Sequence, residues 1–100
     1  MSQAKWTSQA ERELIEIAFY IAFQDRRPAT ADNIVDEIRE KCDRYAQQPL
    51  MGTAVPDQGE GVRMFPHKRW IIFYLPSDYG IDVLSIVDGA RDYPNRFRDA

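Results

Sequence analysis

"FPHKRWIIFYLPSDYGIDVLSIVDG", residues 65–89, has a period of two rather than 3.6 and anchors the reading of everything around it. Val, Ile and aromatic residues crowd into "RWIIFYLP" and "IDVLSIVDG", as strands require. "SDYG" between them reads as a hairpin turn, with Gly80 able to take a positive φ. On the first strand Trp70, Ile72 and Tyr74 point one way, and Ile71, Phe73 and Leu75 the other. A strand apolar on both faces is central in its sheet, or its second face is covered. At its mouth His67, Lys68 and Arg69 form a knot of positive charge, although the chain carries a formal net charge of −3.

Working back from the hairpin, "VRMF" predicts a further strand, and "QQPLMGTAVPDQGEG" before it, with two Pro and three Gly, predicts an irregular loop. The period then becomes helical. "SQAERELIEIAFYIAFQ" opens with Ser8 and Glu11 in a capping-box pattern, and Ala10, Leu14, Ile17, Ala18 and Ile21 make its core stripe. A second row, Ile15, Phe19 and Phe23, makes the apolar arc wider than one buried face needs. It packs against the next helix, or a partner chain covers it.

Pro28 breaks this helix, and Thr30 reads as the N-cap of a second one running to about Gln47. Ala31, Ile34, Val35, Ile38, Cys42 and Tyr45 form its buried stripe, with Glu37–Lys41 and Glu40–Arg44 pairs on the wet side. Cys42 reads there as a small core residue rather than a nucleophile. The short link predicts an antiparallel helical hairpin, and "AKWTS" near the start predicts one more strand. The expected fold is α+β in the order β-α-α-β-β-β. An N-terminal strand and a three-stranded antiparallel meander form one small twisted sheet, antiparallel throughout, with both helices on one face.

Composition sets the outer limits. One hundred residues, 44% hydrophobic and 29% charged, make a single domain over 1–100 with one core. No apolar run approaches a membrane span, and the start of the chain lacks a signal-peptide pattern. A single Cys and a single His make neither an internal disulfide nor a conventional zinc site, so no metal or other cofactor is expected. A reducing, cytoplasmic setting follows. Residues 1–60 hold 7 Lys/Arg against 11 Asp/Glu, and residues 61–100 hold 6 against 5. The second half is nearly neutral, a weak footprint for nucleic-acid binding.

Four pieces in register, Pro49–Gly52, Arg63, Ile72–Tyr74 and Gly89–Asp92, resemble the RelE/ParE superfamily of toxins from bacterial type II toxin–antitoxin systems, and most closely its ParE-type members. The resemblance spans essentially the whole chain. One departure is Asp88, where many relatives carry a His before the Gly. The resemblance implies a cognate antitoxin partner, a toxin–antitoxin hetero-oligomer and, for ParE-type members, inhibition of DNA gyrase by protein–protein contact. RelE-type members instead cleave mRNA on the ribosome.

Metal-free RNA cleavage needs groups to activate the 2′-hydroxyl, stabilise the phosphorane and protonate the leaving oxygen. Arg91 matches the family's last-strand arginine. The expected lysine pair, however, falls near Gly59–Gly61, an expected arginine at Ile71, and a hydroxyl-bearing ring at Phe97. The resemblance therefore points away from an enzyme. If the chain were an RNase, Arg91 with Lys68, Arg69 and His67 would carry the chemistry. A third reading is a non-toxic co-repressor that binds its antitoxin. The residues expected at a target or antitoxin contact are Ile15, Phe19, Phe23, Arg63, Trp70, Ile72, Tyr74, Arg91, Arg96 and Phe97.

Overall fold

The computed structural model describes residues 2–24 and 26–89. Strand β1 (Gln3–Trp6) leads into helix α1 (Ser8–Phe19), which continues as a π-helical turn over Tyr20–Gln24. Helix α2 (Pro28–Gln47) follows, then strand β2 (Thr53–Ala54), a 3-10 turn at Pro56–Gln58, and strands β3 (Arg63–His67), β4 (Trp70–Ser77) and β5 (Gly80–Asp88). The five strands form one sheet in the order β1-β5-β4-β3-β2.

The expected meander is present, with β4 at the centre of the sheet, but three features differ from the sequence reading. The sheet is mixed, because β1 runs parallel to β5 with Gln3 opposite Gly80. The loop before β3 contributes a two-residue strand, pairing Thr53 with Met64 and Ala54 with Arg63. Each helix also starts earlier than read. Thr7, not Ser8, caps α1, its hydroxyl accepting from the Ala10 N–H at 3.1 Å. The same hydroxyl donates to the Leu84 carbonyl at 3.1 Å, a tie that favours Thr7 over the adjacent serine. Helix α2 begins at Pro28, with Arg27 as N-cap and Thr30 inside the first turn, since a proline's missing N–H is no loss there.

The helices cover one face of the sheet. Ala10 and Leu14 of α1 and Ile34, Ile38, Cys42 and Ala46 of α2 pack on Phe65, Ile72, Tyr74, Ile81, Val83 and Ile86. Tyr45 stacks on Phe65 with ring centroids 3.9 Å apart. A bulge sets Phe73 opposite Ser85 but Tyr74 opposite Val83, leaving Leu84 as the extra residue on β5. That insertion is why the helix-facing residues of β5 step from Ile81 and Val83 to Ile86. On the other face Phe73 and Val87 meet Val55 and Val62 from the loop that precedes β3. The apolar character of both faces of β4 thus has its cause: each face has a cover.

Gly80 closes the β4–β5 hairpin with φ +142, and a side chain there would strike the Gln3 backbone, with Gln3 N at 2.8 Å. Cys42 is fully buried, and burial pushes its thiol up to about 12. It is a core residue, as its place in the stripe implies.

Candidate interaction surface

The second apolar row of α1 does not pack on α2. Ile15 is 55% exposed, Phe19 61% and Phe23 69%, and Tyr20 beside them is 48% exposed. The Phe19 and Phe23 rings stack on each other at 4.9 Å, so the pair forms a flat aromatic patch. The π-helical turn lies beneath this patch, and such widened turns recur at functional sites. Between the two expectations for this row, the structure selects an uncovered surface.

The basic knot is the β3–β4 hairpin turn itself. His67 pairs with Trp70 across the ladder, leaving Lys68 and Arg69 as the two turn residues, with Lys68 at φ +55. Glu37 of α2 receives both His67 Nε2, at 3.1 Å, and Lys68 Nζ, at 3.3 Å. These hydrogen bonds, from His67 first and Lys68 second, hold the Glu37 carboxyl below the usual carboxylate range. Arg69 pairs with Asp88 and accepts the Gly89 N–H on its carbonyl at 2.6 Å. The anticipated Glu37–Lys41 pair along α2 is replaced by contacts to the β3–β4 hairpin, since Glu37 meets His67 and Lys68 and Lys41 donates to the Pro66 carbonyl of β3 at 2.6 Å. Both side chains meet fixed partners there while remaining partly exposed.

Where the connected end of the helical hairpin meets this turn, two cavities flank Trp70. One, of about 290 Å³, has Arg27, Lys68 and Arg69 on its rim. The other, of about 260 Å³, has Glu13, Glu16 and Asp88, with Arg69 again between the two. Tyr20 and Trp70 line both, and Tyr20 follows Phe19 in the chain at the start of the π-helical turn. Neither Arg27 nor Tyr20 was singled out by the sequence. The Arg26–Arg27 pair beside the over-wide apolar arc was the available signal.

At the far end of α2 the motif residues build a different feature. The Tyr74 hydroxyl donates to the Pro49 carbonyl at 2.6 Å and accepts the Gly52 N–H at 2.9 Å. Burial raises its pKa above the ordinary tyrosine range, opposed by the Gly52 hydrogen bond, so the hydroxyl keeps the proton it donates. Arg63 donates to the Leu50 carbonyl at 3.1 Å and the Gly52 carbonyl at 2.7 Å. Gly52 has no room for a side chain, because a Cβ would run into Tyr74 and the Met64 carbonyl. With its backbone held inward, the loop turns Leu50 and Met51 outward, at 69% and 51% exposure.

The residues singled out from sequence therefore separate. Ile15, Phe19 and Phe23 are on the surface together. Ile72 and Tyr74 are enclosed beneath the helices and Trp70 is nearly so, because the helical hairpin lies on that face of β4. Arg63 is spent on the Pro49–Gly52 loop. Arg91, Arg96 and Phe97 lie outside the described residues. Among the described residues no group of three or more His, Cys, Asp or Glu side chains gathers as a metal site. No described helix is long and apolar enough to cross a membrane.

Comparison with known proteins adds the family. The model of a family described as the ParE toxin of the type II toxin–antitoxin system, parDE, matches residues 4–93. A solved structure titled as the chromosomal ParDE toxin–antitoxin system from P. aeruginosa superposes with a TM-score of 0.70 at 24% identity. The match covers 88% of this chain and 96% of that one. At that identity the likeness is one of fold. No curated protein matches the chain.

Proposed function

The chain belongs to the ParE toxin family of type II toxin–antitoxin systems, and from that premise we propose that it inhibits DNA gyrase by protein–protein contact and is neutralised by a cognate antitoxin. The observation that carries this reading is the state of the basic knot. Glu37 engages His67 and Lys68, and Asp88 engages Arg69, all within or beside a tight hairpin turn. Ion-paired cations on a short turn suit a docking surface better than the convergence on a phosphate that RNA cleavage demands. The exposed Ile15–Phe19–Phe23 row supplies what contact requires, since aromatic anchors dominate binding energy at protein interfaces. The antitoxin covers this row and so shields apolar surface that a free protein would otherwise expose.

The test uses toxin freed of antitoxin, purified gyrase, relaxed plasmid and ATP. Loss of supercoiling with trapped DNA cleavage, both reversed when antitoxin is added back, is the expected result. Uninhibited supercoiling at large molar excess of folded toxin would overturn the gyrase assignment. Ribosome-dependent mRNA cleavage would then be the activity to measure.

A further inference from the structure

The two cavities beside Trp70 share an apolar floor and carry opposite charge. Toward α2 the charged rim is wholly basic: Arg27, Lys68 and Arg69. Toward α1 it is Glu13, Glu16 and Asp88, with Arg69 as the divider. Tyr20 and Trp70 floor both sides.

From this arrangement we infer the direction in which the antitoxin crosses the toxin. A segment of it lays an apolar side chain over Tyr20 and Trp70, an acidic residue against Arg27 and Lys68, and a basic residue against Glu16. The inference rests on the antitoxin reading above and adds the chemistry and polarity of the bound segment. Three features support it. The site is preformed: Glu37 holds the Lys68 side of the turn and Asp88 the Arg69 side, so little ordering is needed on binding. The charges are sorted by sign across the floor, so the reversed orientation sets like charges against each other on both sides. The open positions are also of the right sign. Arg27 makes no ion pair among the described residues, and Glu16 is exposed, whereas Glu13 already accepts the Ile86 N–H at 3.0 Å.

The experiment measures the affinity of the toxin for its cognate antitoxin by fluorescence anisotropy, comparing wild type with Arg27→Glu, Lys68→Gln and Glu16→Lys. Arg27→Glu is the cleanest probe, because an acidic residue at the start of α2 favours the helix and leaves the fold intact. Arg27→Glu and Glu16→Lys are each expected to weaken binding about tenfold or more, and Lys68→Gln severalfold, with unchanged melting curves. Lys substitution of the acidic antitoxin residue should recover affinity for Arg27→Glu while losing it for wild type. Tight wild-type binding with all three variants within about twofold of it would overturn the crossing and leave the antitoxin reading standing. Failure of the wild-type toxin to bind antitoxin at all would overturn both.

Discussion

The two ends of α2 both expose apolar side chains, and they do so for opposite reasons. At its C-terminal end Leu50 and Met51 face outward because the backbone beneath them is tied down by Tyr74 and Arg63. At its N-terminal end Phe19 and Phe23 face outward on the neighbouring α1 and its π-helical turn, held by their own stacking rather than by polar ties to the core. Helix α2 has 20 residues, so the ends are separated by roughly 30 Å along its axis. Residues that match the family motif build the first end, while the second is a surface the motif does not mention. The motif residues make part of the fold, whereas the surplus of apolar residues on α1 is exposed.

The comparison breaks most visibly at Gly52. Gly52→Ala pushes a methyl group into Tyr74 and the Met64 carbonyl, and should cost about 3 kcal/mol of folding stability in chemical denaturation. Tyr74→Phe removes the loop's buried donor and acceptor together and strands the Gly52 N–H, for a loss of about 2 kcal/mol by the same measurement. At the other end, Phe19→Asp gives up the stacking on Phe23 at the last residue of α1 but no core contact, and should cost about 1 kcal/mol of stability, because the ring is 61% exposed.

The smallest effect concerns the hairpin turn and is read by pH. The folded-state pKa of Glu37 is depressed from its ordinary 4.5. Its contribution is therefore complete above that value and is lost as pH falls through the folded pKa. Glu37→Gln should consequently show a shallower decline of stability on acidification than wild type, in matched melts across the acid range. Identical acid profiles would remove Glu37 from the account of the turn.

Much of this was legible along the chain. The alternation in residues 70–88 fixes two strands and a turn, and the sheet adds the bulge at Leu84 and which of β4's faces the helices take. That choice is non-local: Trp70, Ile72 and Tyr74 look as suited to a partner as to a core until the hairpin is laid over them. Strand β2 escaped because Thr53 and Ala54 are too few to show a period, and their pairing depends on β3. The π-helical turn has no local signature in "YIAFQ". The bipolar cleft could not be read either, since Arg27, Glu16 and Lys68 come together only when the helical hairpin meets the β3–β4 turn.

The central claim is that binding lies on the α1 row and construction lies with the motif residues. Antitoxin affinity and folding stability, measured together for Phe19→Asp and Tyr74→Phe, test it most directly. Phe19→Asp is expected to lose about 2 kcal/mol of binding, roughly 30-fold, while losing less stability than Tyr74→Phe and remaining folded. Tyr74→Phe should lose stability while the fraction that remains folded binds as wild type does. Unchanged affinity in folded Phe19→Asp, or weakened binding by folded Tyr74→Phe, would contradict the division.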